Sequence, residues 1–358
     1  MVTLPQTAIQ KMLGCRYPII QTAMGWVATP ELVAGTSNAG GFGFLAAGVM
    51  RADEVGPAIE KVRSMTDKPF GVNFHMFQPG AAQIVETLIE MKVAAVSFGR
   101  GPDKKAIARF KDAGIRCIPT VGAVKHAKKM VELGVDMVVV QGGEGGGHTG
   151  SVSSTILLPQ VLDAVQVPVV AAGGFGDGRG LAAALAFGAQ GIAMGTRFLM
   201  TKESPVPPQT KERYVKASVD DIFVTSKLDG LPQRMIRNAF TARLEKSSGL
   251  AMWTNALSAA MRMKQLTGAS WGDMIQSARG MMGHGSDSFA QALMGATAPV
   301  FIQRATVEGK PDEGVMATGQ VAGRLTDLPS CEELISRIVA EAEEALDKLI
   351  KLVETPAN

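Results

Sequence analysis

Between Tyr17 and Met200, short apolar runs alternate with segments of helical period. The runs are PIIQTA (18–23), GFGFLAA (41–47), FGVNF (70–74), AAVSFG (94–99), RCIPTV (116–121), MVVVQG (137–142), VPVVAAG (167–173) and GIAMG (191–195). They are continuously hydrophobic rather than alternating, as in strands covered on both faces of a parallel sheet. The segments between them, such as DEVGPAIEKVRSMT and DGRGLAAALAFGA, read as helices, several ending in glycine. Eight strands with helices between them predict an α/β chain folded as a (β/α)8 TIM barrel. The turn after the first strand, QTAMGWVAT, lacks the GxGxxG of an open dinucleotide-binding sheet. In a barrel the functional residues are expected at the C-terminal ends of the strands.

Past Met200 the rhythm changes. Residues 201–311 read as helical, with no strand evident, and are expected to form a lid over the barrel mouth. Residues 1–200 would then be the barrel, and residues 312–358 a glycine-rich return and a final helix. That helix starts at Ser330, with Glu333 completing a capping box.

Composition narrows the class. The 358 residues are 46% apolar, enough for a large core, and the net charge is +3. Neither a nucleic acid nor a membrane is expected as a partner. The basic stretches KERYVK and RMIRNAFTARLEK read either as solvated helix faces or as an anion-binding patch. Cys15, Cys117 and Cys331 lie far apart and make no CxxC pair, so no metal site or disulfide framework is expected. That usage, with no signal-peptide h-region at the start and no membrane-length apolar run, points to the cytoplasm. A homo-oligomer is compatible with the sequence.

Two glycine turns suggest a phosphate. The seventh strand ends at Gly173 and Gly174, the eighth at Gly195 and Thr196. The loops after these two strands commonly bind phosphate in TIM barrels, and glycine lets backbone N–H groups approach it closely. The alternative is purely structural glycine.

After the sixth strand, six of the nine residues in GGEGGGHTG (142–150) are glycine, and among them sit Glu144 and His148. Together with QTAMGW, GVNF, AAGGFGDGRGLAAALAFGAQGIAMGTRFL and TGQVAG, this stretch resembles the nitronate monooxygenase (2-nitropropane dioxygenase-like) family. An FMN-using enoyl-acyl-carrier-protein reductase looks like a cousin. The resemblance implies FMN as cofactor, its phosphate on Gly173, Gly174, Gly195 and Thr196. It implies Ala23 and Met24 against the isoalloxazine and Asn73 hydrogen-bonded to it. Gln141, Gly145, Gly146 and Gly147 would lie beside the ring, and Gln320 would close the site. His148 would act near the flavin as base or substrate-orienting group, which a neutral imidazole can do. The competing reading is a loop histidine bonded only to backbone. His75 and His284 are further substrate-side candidates, His126 is expected to be structural, and Glu144 is either a second acid–base or a carboxylate held by loop amides.

The sequence also departs from the bacterial pattern. Thr120 stands at the end of the fifth strand where the family carries lysine, the glycine stretch replaces a bulkier one, and the chain is longer. QTAMGWVA, GGEGGGHTG and TGQVAGRLTDLPSCEELI are similar to the branch of flavin oxidoreductases acting on CoA thioesters in steroid-ring catabolism. The resemblance thus implies hydride transfer on an acyl-CoA, with NAD(P) or O2 as electron partner. The alternatives are nitronate oxidation by O2, NAD(P)H-dependent enoyl or quinone reduction, and a flavin binder without turnover. Arg234, Arg237, Arg243 and Lys246 would meet the CoA phosphates or be solvated. Eight methionines from Met235 to Met294 suit either a bulky apolar ligand or a helical core.

Overall fold

In the computed structural model, residues 3–76, 78–98, 104–247, 289–354 and a scatter of positions between 257 and 275 are described. Eight parallel strands close into a barrel: β1 (Ile19–Gln21), β2 (Phe42–Ala46), β3 (Gly71–Asn73), β4 (Ala95–Phe98), β5 (Arg116–Val121), β6 (Val138–Gln141), then β8 (Val169–Ala172) and β9 (Ile192–Met194). Strand β7 (Gly147–His148) leaves the barrel order and joins a second sheet. Closure is made by β9 against β1, with Ile20 opposite Ala193. Each apolar run of the sequence becomes one of these strands, because each is buried on both faces: Val138, Val139 and Val140 are all inaccessible or nearly so. Ile20, Phe42, Phe44, Ile118, Val139 and Val170 belong to one apolar cluster, to which the first helix (Ala8–Leu13) adds Ile9 and Leu13.

The chain divides into two compact units. One comprises residues 1–144, 150–204 and 327–358 and contains the barrel; the other comprises 145–149 and 205–326. The second unit therefore reaches beyond 311, to Thr326, and takes in five residues of the glycine stretch. It is also not all helical. Strands β10 (Ile222–Thr225) and β11 (Gln233–Ile236) pair antiparallel, and β11 pairs antiparallel with β7. IFVT is aromatic and β-branched, but four residues are too few to display a period, which is why the sequence reading found no strand here. Phe223, Leu228, Met235, Phe240, Leu244 and Phe301 build this unit's own core. Met235 is buried there, whereas Met261 is half exposed.

The last helix, Cys331–Glu354, starts as expected. The Ser330 amide donates to the Glu333 carboxylate at 2.7 Å, and the Glu333 amide donates to Ser330 Oγ at 3.1 Å. The Ser330 amide, with Lys202 and the Ser330 hydroxyl, holds the Glu333 carboxyl down to about 2. A depressed folded value means stability that is present above the ordinary 4.5 and is lost as pH falls through about 2. Glu333→Gln should therefore melt below wild type at neutral pH, and the gap should close between pH 4.5 and 2. A gap that persists at the acid end would show that the carboxylate's charge is not what stabilises the cap. Among the described residues, no helix is long and apolar enough to cross a membrane.

Candidate active site

The barrel unit gathers several of the expected residues at the C-terminal ends of its strands. Gly173 and Gly174, directly after β8, have φ of 93° and 82°, a pair of left-handed conformations that side chains rarely adopt. Gly195 follows β9 and leads into the short helix Thr196–Leu199, with Thr196 buried. A Cβ on Gly195 would sit 3.1 Å from Thr22 Oγ1 and 3.4 Å from the Met24 sulfur. The end of β9 and the segment after β1 thus come close together, and Ala23 lies between Thr22 and Met24. At the end of β3, Asn73 Nδ2 donates to the Ser97 carbonyl at 3.0 Å. That bond fixes the amide plane and leaves Oδ1 as the acceptor end. His75 is half-buried, its amide donates to Gln78 Oε1 at 2.9 Å, and its ring would lie 2.8 Å from a Cβ on Gly48. Gln141 ends β6, in register with Ala172 of β8.

One feature at this end of the barrel was not anticipated. Trp26, five residues after β1 ends at Gln21, has φ of 65°. A bulky non-glycine residue in that region is strained, and the strain persists only where neighbours over-determine it. No sequence pattern signals it.

The glycine stretch is explained by backbone packing. Glu144 accepts from the Ser154 amide at 3.0 Å and from Ser154 Oγ at 2.9 Å, so it caps the helix Ser154–Leu162. The carboxylate is thus held by Ser154 of the following helix rather than by amides of its own loop. A Cβ on Gly142 would come within 2.2 Å of Ser154 Oγ and 2.6 Å of that carboxylate. Within the second unit, a Cβ on Gly146 would strike the Thr318 carbonyl carbon at 2.4 Å and the Gly319 amide at 2.6 Å. Gly146 and the segment leading to Gln320 are therefore pressed together, and Gln320 itself is exposed. Gly147 needs its left-handed φ of 65° to enter β7.

His148 follows. Its ring is 58% exposed, and Nε2 lies 2.7 Å from Oδ2 of Asp229, a carboxylate only 6% exposed. Asp229 also accepts from Gln233 Nε2 at 2.7 Å and from the Leu231 amide at 3.1 Å. Gln233 and His148 stand opposite each other in the β11–β7 register. The Gln233 amide nitrogen is also 3.3 Å from His148 Nε2. The shorter contact decides the tautomer: a carboxylate only accepts, so the proton of the neutral ring lies on Nε2 and Nδ1 carries the lone pair. Of the alternatives open for His148, bonding to backbone alone is not the arrangement found.

The arginines expected to act together have separate surroundings. Arg234 is buried in β11, across from Val224 and Gly147. Arg237 is exposed, its guanidinium stacked 4.3 Å from the Phe223 ring centroid. Arg243 is exposed and donates to the Asp312 carbonyl at 3.3 Å. Lys246 is exposed at the end of the same helix, Ala239–Lys246. His126 is exposed on the helix Val124–Glu132, and His284 lies outside the described residues. All three cysteines are free and buried, and burial pushes the Cys15 thiol up to about 11 and those of Cys117 and Cys331 up to about 12.

The sequence profile of nitronate monooxygenase matches residues 6–87 and 78–341. The chain belongs to the nitronate monooxygenase family. Members of this family are flavin oxidoreductases, so the chain is an oxidoreductase and its cofactor is a flavin. Two relatives are each called (3aS,4S,5R,7aS)-5-hydroxy-7a-methyl-1-oxo-octahydro-1H-indene-4-carboxyl-CoA dehydrogenase. The one from Rhodococcus jostii is 47% identical over 344 residues, 96% of this chain and 98% of the relative. The one from Mycobacterium tuberculosis is 47% identical over 353 residues, 98% and 99% of the two chains. A probable nitronate monooxygenase of Staphylococcus saprophyticus is 34% identical over 287 residues, 67% of this chain and 81% of the relative. Among solved structures, FabK from Thermotoga maritima superimposes with a TM-score of 0.79 at 34% identity, covering 98% of this chain and all of that one. Nitroalkane oxidase from Streptomyces ansochromogenes gives 0.76 at 28% identity, covering 96% of this chain and all of that one. The family assignment agrees with the barrel topology and with the glycines at the ends of β8 and β9.

Proposed function

We propose that this nitronate monooxygenase family member is an FMN-dependent dehydrogenase of an alicyclic acyl-CoA thioester. The observation that carries the reading is 47% identity, over nearly the whole of both chains, with relatives whose names state that chemistry. The flavin is read as FMN because the glycines at the ends of β8 and β9 suit one terminal phosphate and the sequence carries no second nucleotide fingerprint. Gly173 and Gly174 can present successive N–H groups, and Gly195 and Thr196 supply backbone and hydroxyl donors one strand away. Ala23, Met24, Gln141 and Asn73 Oδ1 are assigned to the ring, and Gly145, Gly146, Gly147 and Gln320 to the same cofactor.

Bound flavin supplies the two-electron acceptor for a hydride. Dehydrogenation also releases a proton from the substrate, and His148 Nδ1 is proposed to take it. Asp229 holds the opposite edge of the ring by accepting the Nε2 proton, so the lone pair is oriented before substrate arrives. His75 remains a substrate-side candidate on the barrel. Arg237 and Arg243 are the proposed partners of the CoA phosphates, since both are exposed; Arg234 is buried and is not assigned this role. NAD(P)⁺ or O2 is the proposed final electron acceptor.

The test is anaerobic. Purified protein should release FMN, and the hydroxy-indane carboxyl-CoA thioester that the relatives' name describes should bleach the flavin absorbance. Rapid bleaching by a simple alkyl nitronate, with no response to that thioester, would overturn the reading in favour of nitronate oxidation.

A further inference from the structure

We infer that Asp229 is the positioning residue for His148, fixing both the tautomer and the orientation of its ring; the inference rests on the acid–base role proposed above for that histidine. The carboxylate is 6% exposed and meets the His148 ring, the Gln233 side chain and the Leu231 amide. Oδ1 takes the Leu231 amide at 3.1 Å, which anchors the carboxylate in its own turn. Oδ2 takes His148 Nε2 and Gln233 Nε2, both at 2.7 Å. The Gln233 amide thus holds the carboxylate oxygen at the position where it meets the imidazole.

The register makes this arrangement rigid. Gln233 faces His148 across β11 and β7, and Asp229 sits four residues before Gln233, in the connection that leads into β11. The Thr149 amide donates to the Pro232 carbonyl at 3.1 Å, locking the chain just past His148 onto the same connection. An exposed imidazole would otherwise sample both tautomers and several rotamers. With an acceptor-only group at 2.7 Å from Nε2, the lone pair is confined to Nδ1.

The experiment uses the holoenzyme with ¹⁵N-labelled histidine. There are only four histidines, so the His148 signal is assigned by its loss in His148→Ala. In the unmodified protein the neutral ring should be the Nε2–H tautomer, and Asp229→Asn should change that signal. Asp229→Asn should also lower kcat by about 10²-fold or more, within the range for loss of a positioned base, with KM changed by less than about twofold, as for an interaction made only in the transition state. Because Asp229 acts through His148, the double variant should be no slower than His148→Ala alone. Losses that multiply, or an Nδ1–H tautomer in the unmodified protein, would overturn the inference. His148→Ala with full turnover, beside an Nε2–H signal that Asp229→Asn alters, would leave the positioning intact and instead remove the acid–base role.

Discussion

His148→Ala is expected to cut turnover by ~10²–10⁴-fold while leaving bound flavin in place, the usual contribution of a positioned acid–base group. Both halves follow from where the residues lie. The glycines assigned to the phosphate are at the ends of β8 and β9, in the barrel unit. His148 belongs to the other unit, in the two-residue strand β7. Truncating a ring that is 58% exposed removes little packing. Asp229 loses one donor but keeps the Gln233 amide and the Leu231 N–H, so the buried carboxylate is not stranded. Stability and flavin content should therefore stay near wild type, and the loss should appear in kcat. The flavin-to-protein absorbance ratio and steady-state turnover are the two measurements. Unchanged turnover would return His148 to a structural part in the β7–β11 pairing. Loss of flavin together with turnover would mean that the histidine's segment serves cofactor retention instead.

The barrel was legible in the sequence because its strands are predominantly apolar runs. Val138 to Val140 and Val169 to Ala172 carry no polar residue to confuse the period. The hairpin in the second unit was not legible. Its strand Gln233–Ile236 is buried throughout, yet two of its four residues are polar. Gln233 is polar because it bonds Asp229, a reason that exists only once the fold is made. Asp229 was missed for the same cause: it lies 81 residues from His148, and their meeting is set by strand register rather than by local spacing. The glycine stretch was legible as a place where backbones come close. The identity of the close neighbours, the Ser154 turn at Gly142 and the Thr318–Gly319 backbone at Gly146, needed coordinates. Similarly, Arg234, Arg237 and Arg243 were read together as partners of CoA phosphates or as solvated, whereas Arg234 is buried and Arg237 stacks on Phe223.

Arg197→Ala is expected to destabilise the barrel unit by about 3–5 kcal/mol, because it strips two carbonyls of their donor and leaves a cavity, whereas Asp327 is 42% exposed and keeps Arg337. Arg197 is 2% exposed, on the short helix after β9. Its Nη1 donates to Asp327 Oδ1 at 2.8 Å, and its Nη2 donates to the carbonyls of Met200 and Asp327, both at 2.9 Å. Burial draws the guanidinium's pKa down from its usual range, while Asp327 is held low against its own desolvation by Arg337 and Arg197. The two backbone partners mark where the barrel unit is left and re-entered: that unit ends one stretch at Ser204 and resumes at Asp327. The same stem is closed by the Lys202 amide donating to the Pro329 carbonyl at 2.9 Å, and by the Glu203 carboxylate accepting from the Cys331 amide. Truncation at Arg197 would leave two carbonyls without their charged donor, each worth about 1–3 kcal/mol if water cannot replace it, and would open a cavity. Arg197→Met fills much of that volume without restoring the donors, so it should fall between alanine and wild type. At about 2–4 °C per kcal/mol for a body of this size, the alanine variant should melt roughly 6–20 °C lower. Two melting curves in one buffer measure this, and a methionine variant as unstable as alanine would assign the loss to the missing hydrogen bonds rather than to the cavity. An alanine variant that melts with wild type would mean the stem holds through Glu203 and Lys202 without Arg197.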